Sequence, residues 1–342
     1  MRVSRTAATA VSALAAALVS AAAHAEDPQV TLRFSHWSPP QHPMTTISVP
    51  DWTGDIEKAS NGSIKFQVFP ASQLGAPADH YDMGRDGVAD VTWANVGLQP
   101  GRFPVVQGME MPLLYSNPAG ATRAFHEWYM QYAEKEMKDV KLCQTHALYP
   151  SEIHSKKQIN SIEDFKGLKV RTPNATQSRF MSTLGAVIIP IPATQARDAV
   201  EKGVADAVTF PWQSLIIFGI DSLTPYHMDV PLGGNGFELL INKNAYNKLS
   251  ANQKKIIDDH CTAEWSARFM DAWNKQEAGG KATLAGKPGH VVYTISEKFR
   301  GDLLTAAEPG RKEWAESVRK VGYDPDQVWN SLLEAMKRNN AN

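Results

Sequence analysis

Asp164-Phe-Lys-Gly-Leu-Lys-Val-Arg171-Thr-Pro173 is the stretch on which the fold turns. Leu168 and Val170 alternate with Lys169 and Arg171, the period-2 pattern of a strand. Pro173 cannot continue a ladder of backbone hydrogen bonds, so Arg171 falls at the strand's carboxyl end. In open α/β sheets, ligands bind in the crevice just beyond that end. A guanidinium there matches a carboxylate with two parallel hydrogen bonds.

The same grammar extends outward. Thr31-Leu-Arg-Phe-Ser-His36 and Ser63-Ile-Lys-Phe-Gln-Val-Phe69 alternate as strands, with a helix from Trp52 to Ser60 closing at Asn61-Gly62 between them. Strands separated by helices predict an α/β architecture. Gly-Val-Ala-Asp occurs twice, at 87–90 and 203–206, each time before a short β-prone run and an aromatic, Trp93 and Phe210. Two copies 116 positions apart predict two similar lobes; solenoid repeats are far shorter. Ser250-Ala-Asn-Gln253 reads as a capping box opening a long helix. Its stripe of Ile257, Cys261, Trp265, Phe269 and Trp273 faces a core and stops near Gly279-Gly280. Arg311 to Lys337 reads as further helix.

Composition narrows the function. The 342 residues are 43% hydrophobic with a net charge of −1, which excludes a disordered chain and gives no basic surplus for nucleic acid. Arg2 and Arg5, an alanine-rich apolar run from Ala7 to Val19 and Ala23-His24-Ala25 form the three parts of a secretory signal over residues 1–25. That run is too short to span a bilayer, and no later stretch is long enough. The expected location is the periplasm. In that oxidising space Cys143 and Cys261 form either one disulfide or two buried thiols. No nucleophile elbow, Walker loop, dinucleotide fingerprint or His-Glu-x-x-His occurs, so no enzyme activity, cofactor or metal is expected.

With these residues in place the chain resembles the extracytoplasmic solute-binding proteins of tripartite ATP-independent periplasmic (TRAP) transporters, the DctP-like family. The resemblance rests on Phe34-Ser-His36, Phe69-Pro-Ala-Ser-Gln-Leu-Gly75, Gly87 to Asp90, Met109-Glu-Met-Pro-Leu-Leu114, Asp164 to Pro173 and Gly203 to Asp206. It implies a two-lobed periplasmic-binding-protein fold, a cleft between the lobes and a long helix bridging both. On that basis lobe I takes residues 26–149 plus 237–277, and lobe II takes 150–236 plus 278–342. It also implies small and large membrane subunits as partners, an ion gradient as the energy source and Arg171 as the residue that pairs with the ligand carboxylate. Some members carry a second Arg where this chain has Ser151, and many place an Asn where it has Phe210.

That last departure predicts the ligand. Phe210 and Trp212 from one lobe, with Trp93 and Trp37 from the other, favour a flat apolar body by stacking and desolvation. The expected ligand is an aromatic or hydrophobic monocarboxylate; a small 2-oxo acid or other aliphatic carboxylate would use Arg171 equally well. His36, Asn95, Gln213 and Asn235 are candidates for polar or edge contacts. Trp52, Trp128, Trp265 and Trp273 are expected in the core. Of another class, a periplasmic enzyme acting on a small acid would need a nucleophile and base in the cleft.

Overall fold

The computed structural model describes residues 27–341, so the expected leader lies outside the described residues. The strands are β1 (Val30–Ser35), β2 (Ile64–Phe69), β3 (Val91–Ala94), β4 (Val140–Ala147), β5 (Ser151–Ser155), β6 (Lys169–Thr172), β7 (Val187–Pro190), β8 (Ala207–Phe210), β9 (Tyr226–Gly233), β10 (Gly236–Asn242) and β11 (Val291–Tyr293). The helices are α1 (Val49–Ala59), α2 (His80–Asp86), α3 (Pro118–Glu136), α4 (Ala175–Thr183), α5 (Ala193–Glu201), α6 (Trp212–Ile217), α7 (Lys243–Lys248), α8 (Ala251–Asp259), α9 (Ala263–Ala285), α10 (Glu297–Lys320) and α11 (Pro325–Arg338).

The strands form two mixed sheets, ordered β2-β1-β3-β10-β4 and β11-β9-β5-β8-β6-β7. Alternation gives each sheet two buried faces. Ala94 and Leu240 face one core while Trp93 and Leu239 face another. In the second sheet Val170 and Ala207 face one core, Val208 and Phe210 the other. The chain passes between the sheets after β4 and again between β9 and β10, where only Gly234 and Asn235 intervene.

The repeated Gly-Val-Ala-Asp is one joint built twice. Gly87 and Gly203 take φ of 73° and 70°, the left-handed turn a side chain disfavours, and each sits just past a helix. The Asp90 N–H then donates to the Arg33 carbonyl, while the Arg33 N–H donates to the Asp90 carboxylate. Asp206 and Lys169 exchange the same pair of bonds. The Arg33 guanidinium also reaches the Gly87 carbonyl, as the Lys169 amine reaches that of Gly203. In both lobes the incoming strand is thereby locked parallel to its neighbour, β3 beside β1 and β8 beside β6.

Three expectations change. The helix from Ser250 breaks at His260-Cys261-Thr262, because Thr262 caps α9 by accepting from the Trp265 N–H. Cys261 in that break is bonded to Cys143 of β4, and the His260 carbonyl accepts from Trp52 Nε1 and Gln144 Nε2. Hydrophobic periodicity ran through the break and hid it. Second, α9 continues past Gly279-Gly280 to Ala285. Gly280 is there for contact: a Cβ would stand 2.7 Å from Gln213 Cα, so helix and α6 touch backbone to backbone. Third, residues 278–342 do not all join the second lobe. Helix α10 begins in the core of the second lobe with Phe299 and Leu303 and ends in that of the first with Trp314 and Val318. Val328, Leu332 and Met336 of α11 share that first-lobe core with Trp128, whose Nε1 donates to the Val328 carbonyl.

Candidate functional site

Strand β6 brings Arg171 to the mouth between the two sheets and then stops at Pro173. The side chain is 3% exposed. Its Nε donates to the Ile191 carbonyl at 2.9 Å and its Nη1 to the Thr209 carbonyl at 3.2 Å. The guanidinium carbon lies over the Phe210 ring, 4.7 Å from its centroid. Burial alone pushes the guanidinium down to about 9; among the described residues no neighbouring carboxylate offsets it. A buried cation with only carbonyls and a ring around it calls for an anion.

Arg171 borders a cavity between the two sheets. Trp37, Asn95 and Phe237 of the first lobe form one wall. Arg171, Phe210 and Phe218 of the second form the other, with Asn235 and Ser151 at the crossing strands and Trp273 of α9 beneath. The Asn235 amide donates to the Ser151 hydroxyl at 2.7 Å, so Ser151 supports a polar edge where a second guanidinium is absent. The rings of each wall pack on one another: Phe237 stacks on Trp93 at 4.3 Å, Trp37 lies 5.2 Å from Trp93, and Phe218 meets Phe210 edge-on at 5.6 Å.

Of the residues singled out in the sequence, Arg171, Phe210, Trp37, Asn95 and Asn235 border the cavity. Trp93, Trp212, His36 and Gln213 do not. Trp93 is fully buried behind Phe237, its Nε1 donating to His146 Nδ1. Counted from the two aspartates, Trp93 stands at the register position of Thr209, and Ala94 at that of Phe210. Trp93 shares its sheet face with Phe237, which stacks on it and borders the cavity in its place. Trp212 opens α6, and Glu277 draws that helix onto α9 by accepting from the N–H groups of Gln213 and Ser214. The indole is thereby turned away, to lie 5.3 Å from the His154 ring. His36 is buried against Phe34, and burial, with a smaller push from His80, drops it to about 4.

Phe218, Phe237 and Trp273 were not expected at the site. Trp273 belongs to the core stripe, and its cavity edge is visible only once α9 crosses between the lobes. Its Nε1 donates to Glu277 at 2.9 Å, which fixes the ring. Phe237 alternates in β10 as Trp93 does in β3, on the adjacent antiparallel strand.

Comparison with known proteins shows the family. Residues 34–317 match the family described as bacterial extracellular solute-binding protein, family 7, DctP. The chain is 26% identical over 323 residues to the outer membrane transporter protein TsaT of Comamonas testosteroni, covering 92% of this chain and 94% of that one. A TRAP solute-binding protein from Rhodoferax ferrireducens, in complex with copurified benzoate, superposes with a TM-score of 0.86 at 28% identity over 91% of this chain and 99% of that chain. A marine metagenome TRAP solute-binding protein in complex with 3-hydroxybenzoate gives 0.85 at 27%, over 92% and 99%. The chain belongs to bacterial extracellular solute-binding protein family 7, the DctP family, and is a solute-binding protein of the TRAP type.

Proposed function

We propose that this protein captures an aromatic monocarboxylate between its lobes, with Arg171 gripping the carboxylate and the ring held among Phe210, Phe218, Phe237, Trp37 and Trp273. The observation that carries the reading is the buried Arg171 guanidinium, without a compensating acid, at the wall of an aromatic-lined cavity. The ligands of the two similar TRAP proteins, benzoate and 3-hydroxybenzoate, support it. Contacts to both walls favour the closed arrangement over the open one, so binding shifts the population. The closed form then delivers its acid, unchanged, to membrane subunits from the periplasmic side. Among the described residues no helix is long and apolar enough to cross a membrane, which fits a separate binding component.

The test is a thermal-shift screen followed by calorimetry. Benzoate, hydroxybenzoates, mandelate and phenylacetate are set against pyruvate and succinate. A ligand at a hundred times its Kd adds about 2.7 kcal/mol of stability. Stabilisation by pyruvate or succinate, with none by the aryl acids, would reject the aromatic reading. Recovery of a chemically altered acid would reject capture.

A further inference from the structure

Met109-Glu110-Met-Pro-Leu-Leu114 takes no part in the cavity wall, yet Glu110 is 3% exposed and stands behind it. Its neighbour is Asn95, which borders the cavity at the end of β3. The Asn95 amide oxygen is buried and accepts no hydrogen bond; Glu110 Oε2 is likewise buried with no partner. The two side chains meet at Gly97. A Cβ there would overlap Glu110 Oε1 and stand 3.0 Å from Asn95 Oδ1 and 2.7 Å from Asn174 Cβ. Only glycine lets the two oxygens crowd the same spot.

The buried Asn95 amide oxygen beside a buried carboxyl group needs a donor, which the carboxyl supplies when protonated, unless the amide turns its N–H groups toward it. A carboxylate cannot supply it; a carboxylic acid can. Burial of Glu110 favours the acid. Arg179 of α4 is the charge-balancing candidate, but it donates to Gln107 Oε1 at 2.6 Å instead. Glu238 of β10, itself buried, and the Tyr115 hydroxyl are the other titratable groups near it, and the carboxyl of Glu238 is raised in part by Glu110. The Thr176 hydroxyl is its remaining polar neighbour. We propose that Glu110 is a positioning residue held in its protonated form, donating to Asn95 Oδ1 and so fixing the amide with its N–H groups toward the bound acid. Burial raises the carboxyl to about 8, with Thr176 and Arg179 opposing. Ionisation above that value removes the donor, and the amide turns its oxygen toward the anion.

This inference rests on the proposed acid-binding site for its affinity readout but has a second, ligand-free one. Calorimetry with benzoate, which is ionised throughout, is run from pH 6.5 to 9 on the wild type, Glu110→Gln and Asn95→Ala, each checked for an intact thermal transition. Wild-type affinity is expected to fall about tenfold across the range. Glu110→Gln keeps a permanent N–H donor, so it should bind like the wild type at pH 6.5 and hold that affinity within about twofold at pH 9. Asn95→Ala should bind more weakly at all pH values and be equally flat. Arg171 is common to all three, so its own titration cancels in the comparison. A shared profile for wild type and Glu110→Gln, or a slope in Asn95→Ala as steep as that of the wild type, overturns the assignment. On ligand-free protein, infrared difference spectra at pH 7 should show a protonated-carboxyl band lost in Glu110→Gln and shifted in Asn95→Ala. Absence of that band overturns the assignment even if benzoate does not bind, an outcome that would instead count against the proposed function.

Discussion

The Arg171 guanidinium carbon lies over the Phe210 ring, 4.7 Å from its centre. The Nε and Nη1 bonds to the Ile191 and Thr209 carbonyls hold it there before any ligand arrives. A preorganised cation loses little freedom on binding, which turns more of its interaction into affinity.

Arg171→Met should therefore remove acid binding while leaving the protein folded. Breaking a desolvated charge pair costs about 2–5 kcal/mol, a loss of roughly 30-fold to several thousand-fold. Calorimetry gives the first quantity and thermal denaturation the second. The melting temperature of the ligand-free variant should not fall much, since a buried, uncompensated charge goes with the side chain. Unchanged affinity would remove Arg171 from the site.

Phe218→Ala and Trp212→Ala should separate the cavity from its support. Phe218 borders the cavity, so its loss should weaken benzoate more than acetate. Trp212 is buried beside His154 and outside the cavity. Its truncation should lower stability by about 3–5 kcal/mol without changing the ratio between the two acids. A changed ratio in Trp212→Ala would show the indole reaching the ligand.

The Cys143–Cys261 bridge closes a loop of 118 positions. Cross-linking a chain over such a span restricts the unfolded state and typically contributes about 2–4 kcal/mol. The double Cys→Ser variant should melt several degrees lower, with affinity for the acid unaltered, because neither cysteine borders the cavity. An equal melting point would mean the β4–α9 junction is held by the bonds to the His260 carbonyl alone.

Glu152 gives a pH signature of stability. It is 4% exposed, and its Oε2 has no hydrogen-bond partner. Burial, reinforced by Glu277 and Asp229, raises its carboxyl well above the ordinary 4.5. A raised acid contributes its full stability below the unfolded value, and that stability is lost as pH rises toward the folded one. Glu152→Gln should match the wild type near pH 4 and become progressively more stable than it toward pH 8, by up to about 1.4 kcal/mol per pH unit. Melting curves at pH 4, 6 and 8 check the sign; a gap that narrows with pH would refute it.

Much of the architecture was legible in the chain. Alternation located β1, β2 and β6, and the duplicated Gly-Val-Ala-Asp marked the two strand-locking joints, because a left-handed glycine and an aspartate facing the neighbouring strand are local requirements. Arg171 was legible for the same reason: a strand end stopped by proline is a one-dimensional fact. The leader pattern, too, is local, although it falls outside the described residues.

Other features depended on which distant segments met. Alternation says that Trp93 and Ala94 face opposite ways, not what covers either; Phe237 of the neighbouring strand stacks on Trp93 and borders the cavity in its place. Trp273 sits in a stripe that looks uniformly buried until α9 crosses from one lobe to the other. The turn of α6 that removes Trp212 from the cavity is set by Glu277, 65 positions further on. The Cys143–Cys261 pairing and the seat of α11 on the first lobe likewise needed the folded chain. Local hydrogen bonding and steric limits are written residue by residue, whereas the facing of a side chain is set by packing against partners that sequence spacing does not encode.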